Sequence, residues 1–117
     1  MYDRLVLAAR RRSRLFYAEV RQILESVAPD QASAADVTAV LRQIAESEHS
    51  AGRPLLTALV VTGKSIPGEI FFASARDLGA LSSTDPAEEM RFWMTEEARV
   101  YDAWKPAGRD ERGSTGP

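Results

Sequence analysis

Cysteine is absent from this 117-residue chain. Its absence excludes disulfides, thiol nucleophiles, iron–sulfur clusters and thiolate zinc sites together. Histidine occurs once, at His49, so no multi-histidine metal site can be assembled within one chain. Neither a metal nor another cofactor is expected. Long apolar runs are also missing. The longest, Leu55–Val61, falls far short of the ~20 residues of a membrane span, so no membrane partner is expected. The arginines near the start are not followed by a continuous apolar stretch, so no secretory leader is expected, and the cytoplasm is the expected location. Lysine is scarce: only Lys64 and Lys105 stand beside thirteen arginines. With the many alanines, that bias is associated with GC-rich bacterial genomes and their phages.

What is present fits one folding unit. A chain of this length buries roughly two-thirds of the surface that its unfolded form exposes, enough for one core without covalent staples. Charge is unevenly placed around the net value of −2. Residues 1–28 hold six arginines against three acids, a net of +3, whereas residues 63–104 hold four cations against eight acids, a net of −4. The head is basic and the later half is acidic.

Residues 1–28 read as helix. Phe16, Val20, Ile23 and Val27 recur at spacings of four, three and four. Leu5 and Ala9 extend that stripe upstream, but the next inward position is Arg12, which leaves open a break near Arg10–Arg14. Ser33 with Asp36 makes a capping box for a second helix carrying Val37, Val40, Leu41 and Ile44. Gly52 ends it, with Pro54 close behind.

Leu55–Thr62 reads as a strand with both faces apolar, hence central or covered on both sides. Gly63–Gly68 reads as a turn and Glu69–Ala73 as the return strand. A short helix follows from about Ser74 to Leu78. Asp85, Pro86 and Glu88 form a strong start for a last helix, whose apolar face carries Met90, Trp93, Met94, Val100, Tyr101 and Trp104. The expected fold is a helix-rich α+β single domain over residues 1–106, in the order α-α-β-β-α-α around a central two-stranded hairpin. Residues 107–117 have no apolar anchor and are expected to be a disordered tail.

The segments HSAGRPLLTALVV, PGEIFF, ARDLG, RFWMTEE and VYDAW, spread over residues 49–104, together form a pattern. It resembles a small domain family of uncharacterised bacterial and phage proteins. The resemblance covers about residues 17–104 and implies a bacterial or phage origin, with no activity attached. The order helix, helix, strand, Pro-Gly turn, strand is also similar to a winged-helix outline, including the DNA-binding half of alkylguanine transferases. The chain lacks that family's reactive Cys-His pair, so no alkyl transfer is implied. It also has one helix between the first helix and the hairpin, where a winged helix has two. This second likeness is fold-level analogy.

Four constellations bear on function. Arg10, Arg14 and Arg21 would share one helix face, with Arg11 on a neighbouring one, and guanidinium groups suit phosphate. The plain alternative is a solvated face. Glu48 lies four after Ile44 and seven after Leu41, so it continues an inward stripe. It would be a general base, or a hard-metal ligand together with Glu69, or a structural partner of Arg53 and nearby backbone N–H groups. His49 would be a base, or a cation that favours a helix C-terminus. Phe92, Trp93, Tyr101 and Trp104 are core residues, or a protein-contact patch where exposed. Gly63-Lys64-Ser65 is not a phosphate loop, because the Gly-x-x-x-x lead-in is missing and a strand, not a helix, is expected to follow.

Three functional readings follow. The first is a non-enzymatic binding or adaptor module contacting a protein partner or a second copy of itself. The second is a DNA-binding module using Arg10, Arg11, Arg14 and Arg21. The third is a small hydrolase- or nuclease-like enzyme using Glu48, with His49 or Glu69.

Overall fold

The computed structural model describes residues 1–105; the expected tail lies outside them. The fold is α+β and strongly helical. Five helices, α1 (Tyr2–Arg10), α2 (Tyr17–Val27), α3 (Ala34–Ser50), α4 (Glu69–Asp77) and α5 (Pro86–Ala103), surround two two-residue strands, β1 (Leu15–Phe16) and β2 (Val60–Val61).

The first helical stretch is broken where the arginines cluster. The N–H of Arg12 bonds to Ala9 O and that of Ser13 to Ala8 O, the paired closing bonds of a Schellman motif. The position that normally holds glycine is Arg12, at φ 54°. A non-glycine residue is strained there. The Arg12 guanidinium lies 4.9 Å from the Tyr101 ring centroid, a contact that offsets part of that cost. The chain then runs straight into β1 and α2. Within α2 the expected stripe is only partly inward: Val20 is buried, Ile23 is half-buried, and Phe16 and Val27 are exposed.

Helix α3 forms as its sequence dictates. Ser33 accepts from the Asp36 N–H, and the Asp36 carboxylate accepts the Ser33 N–H. Val37, Leu41, Ile44 and Ala45 are buried. Gly52, at φ 75°, closes the helix with a second Schellman motif: Arg53 N–H to Glu48 O and Gly52 N–H to His49 O.

The hairpin is not there, and without it there is no wing of the winged-helix outline. The two strands are parallel, with Leu15 opposite Val60 and Phe16 opposite Val61. A parallel pair needs a long crossover, which α2 and α3 supply. Of the expected first strand only Val60–Val61 pairs as a strand. Leu56–Leu59 is a 3₁₀ turn, fully buried among α1, α3 and α5. A mostly apolar run does not distinguish a strand from another buried segment, and here side chains rather than a partner strand satisfy part of its backbone. Glu96 accepts the Leu55 N–H at 2.7 Å, and the Trp93 indole N–H donates to Ala58 O at 2.9 Å.

The expected return strand is instead the first half of α4. Gly68 stands at its N-cap, and Phe71, Phe72, Ser74 and Ala75 are buried at helical spacing. Helix α5 begins as expected, with Asp85 accepting the Glu88 N–H and Pro86 at the first helical position. No helix of the described residues is long and apolar enough to cross a membrane.

Candidate functional site

Glu48 is fully buried. The Schellman motif at the end of α3 returns the chain so that Arg53 stands beside it. The Arg53 guanidinium donates to both carboxylate oxygens, Nε at 3.0 Å and Nη2 at 2.9 Å. Tyr2 of α1 donates its hydroxyl to the same group at 3.0 Å. The expected partner Arg53 is therefore present, and the third donor comes from α1 rather than from the turn backbone. Glu69 does not join this group. It is exposed in the first turn of α4, where its nearest cation is Arg76 at 3.9 Å. His49 is exposed in the last turn of α3. Among the described residues no cluster of three or more His, Cys, Asp or Glu side chains could hold a metal ion.

Two further buried carboxylates were not singled out from the sequence. Glu96 accepts the Leu55 N–H and pairs with Arg99 Nη1 at 2.7 Å. Glu97 is held by Arg14 through Nε and through Nη2 at 2.9 Å. The signal that marked Glu48 also marks these two: they fill the gap between Trp93 and Val100 on the inward stripe of α5. The three acids tie the 53–61 segment, buried from Pro54 onward, and the α1–β1 connection to α3 and α5.

Burial raises the Tyr2 phenol above its ordinary value of 10.0, and the Glu48 carboxylate adds to the rise. Tyr101 is raised for the same two reasons, with Glu97 as its carboxylate. The unfolded chain therefore loses these protons first as pH rises. The stability they contribute is fully present below about pH 10 and is lost above it. Urea unfolding from about pH 9 to about pH 11 should show this fall, and the Tyr2→Phe/Tyr101→Phe double variant should show a shallower one. Equal slopes would contradict the assignment.

The arginine stripe is divided by the break after α1. Arg14 is committed to Glu97 and lies 5.0 Å from the Trp93 ring centroid. Arg21 donates through Nε to Ala32 O at 3.2 Å. Arg10 and Arg11 are exposed and, with Arg4, have no carboxylate partner among the described residues. The aromatic set of α5 belongs to the core more than to the surface. Trp93 is buried, while Phe92, Tyr101 and Trp104 are half-buried and packed against the core. Met94, expected on the inward face, is instead 61% exposed.

The surface opens elsewhere. Between β2, the start of α2 and α4 lies a cavity of about 60 Å³. Tyr17, Leu41, Val61, Ile70 and Phe71 supply its walls. Two large apolar side chains stand exposed on the elements that form its rim. Phe16 (46% exposed) precedes Tyr17 and pairs with Val61 across the sheet. Ile66 (38% exposed) sits in the turn that Thr62 closes by donating its N–H to Ile66 O at 2.8 Å. Among the described residues β1 has a strand on one side only, though the Phe16 N–H is already taken by the Glu19 carboxylate at 2.8 Å.

No family model, curated protein or solved structure matches the chain.

Proposed function

We propose that this chain is a non-catalytic protein-binding module that takes an extended segment of a partner on the face around β1, β2 and the 62–68 turn. The observation that carries this reading is the placement of exposed Phe16 and Ile66 beside an open apolar cavity. Exposed aromatic and aliphatic groups around a preformed pocket are the usual anchors of peptide recognition. The expected contact set thus moves from Phe92, Trp93, Tyr101 and Trp104 to Phe16, Ile66 and the cavity rim. Glu48 and its two counterparts support the same reading, because each is closed in a pair that the fold needs.

A displayed library of random peptides tests it. The parent protein should enrich extended sequences. Their binding should fall about tenfold or more in Phe16→Asp or Ile66→Asp and persist in Met94→Asp, which alters an exposed position of α5 that does not line the cavity. Failure to enrich any peptide, or binding indifferent to positions 16 and 66, would overturn the proposal.

One observation favours a second reading, nucleic-acid binding. The guanidinium groups of Arg4, Arg10 and Arg11 lie exposed on one short helix and its end, whereas Arg14, Arg42, Arg53, Arg76 and Arg99 are paired with acids. Under this reading duplex affinity falls steeply with salt, and neutralising the three flattens the log–log slope by about one unit per arginine. No retention on DNA at low salt ends it.

A further inference from the structure

Helix α5 turns one face to solvent along its length. Glu88, Arg91, Thr95, Ala98 and Asp102 are exposed, and exposed Lys105, just past the helix end, continues their line. Their spacings are three, four, three, four and three. That is the repeat of a helix–helix seam, in which successive positions meet a second helix layer by layer. The two central residues are short, so two such helices can approach closely there. Pro54, Met94, Ala98 and Asp102 are among the walls of an open groove on this same stretch, and Met94 stands exposed beside the centre of the seam.

The charges along the seam run minus, plus, neutral, neutral, minus, plus. Laid parallel and in register on a copy of itself, the seam sets every charge against its own like. Laid antiparallel, with Thr95 opposite Ala98, it sets Glu88 opposite Lys105 and Arg91 opposite Asp102, each twice by two-fold symmetry. Every charged position then meets its opposite, which is the self-complementarity that an isologous contact requires. Like charges in contact are penalised, so the pattern favours one orientation and one register. Contacts within the chain leave these groups available. The Asp102–Lys105 pair is exposed and uses one carboxylate oxygen, at 3.3 Å, and such surface pairs hold little. Arg99 stays with Glu96 at 2.7 Å, and in this register its aliphatic stem falls opposite Met94 of the second copy.

We infer that the outer face of α5 is a self-association surface, on which a second copy of this chain lays its own α5 antiparallel, centred between Thr95 and Ala98. None of the seam residues lines the cavity beside β2, so the inference stands independently of the peptide-binding reading. An 18-residue helix is about 27 Å long. The contact is therefore small, and the dimer is a weak one that forms with rising concentration.

Sedimentation of the full chain from about 10 µM to about 1 mM at low salt tests it. The average mass should climb from that of one chain towards that of two, and added salt should reverse the climb. Arg91→Glu or Asp102→Arg puts two like-charge contacts across the seam in place of two ion pairs. Each should weaken the dimer about tenfold or more. The Arg91→Glu/Asp102→Arg double variant restores the pairing with its signs swapped, and should recover the parent affinity to within about threefold. A mass that stays at one chain throughout overturns the inference. So does a dimer that either reversal leaves unchanged, or that the swap fails to restore.

The register has its own readout. The chain holds no cysteine, so Thr95→Cys and Ala98→Cys each place a single thiol on the seam. Mild oxidation of the two variants mixed together should give the disulfide between unlike variants in excess of its random share. A random distribution of disulfides would contradict the register, and with it the charge ladder that carries the inference.

Discussion

Leu59→Ala should lower unfolding free energy by about 2–5 kcal/mol. Leu59 has no exposed surface and sits in the 3₁₀ turn that α1, α3 and α5 enclose. Truncation removes packing from three helices at once. The turn that carries it is fixed by Glu96 at its start and Trp93 at its middle, so the site cannot collapse to fill the void. Urea titration of parent and variant measures the loss from the midpoint shift at constant slope. A loss below about 1 kcal/mol would mean that this segment is not the centre of the core.

The second large effect concerns the Glu48 cluster. Glu48→Gln keeps the shape and part of the hydrogen bonding, and should cost about 1–3 kcal/mol. Arg53→Met should cost more than Glu48→Gln, because it leaves a fully buried carboxylate with only the Tyr2 hydroxyl. The double variant should be more stable than Arg53→Met alone, since the stranded charge is then gone. That ordering is the signature of a structural pair. A Glu48→Gln variant that melts above the parent would instead mark a strained functional acid, and the enzyme reading would return.

Much of this fold was legible because its signals are local. The Ser33–Asp36 capping box, the apolar stripe of α3, the Gly52 stop and the Asp85-Pro86 start each depend on residues within one turn of each other. The helix break near Arg12 was legible as a conflict: an arginine falls where the stripe needs an apolar residue. The hairpin was misread for a physical reason. An apolar run such as Leu55–Val61 says that the segment is buried and nothing about which groups satisfy its backbone, and here the answer lies some forty residues away, in Trp93 and Glu96. Glu69–Ala73 fell to the same ambiguity, since Phe71 and Phe72 fit either period over so short a window.

The candidate site was less legible. Glu48 was found because one residue on one stripe is enough to raise the question. Glu96 and Glu97 carry the same mark on α5, but Trp93, Val100 and Tyr101 dominate the pattern of that face and mask the two acids. The cavity left no trace in the sequence. Tyr17, Leu41, Thr57, Val61 and Ser74 come from four separate elements and the turn between two of them, and only the parallel crossover brings them together.

Hydrogen exchange on the protein bound to a library-selected peptide tests the central claim most directly. The account predicts added protection at residues 15–17 and 60–71, around Phe16, Ile66 and the cavity, with the outer face of α5 and the Arg10–Arg12 tip unchanged. Protection confined to α5 or to that arginine tip, with residues 60–71 exchanging as in the free protein, would contradict it.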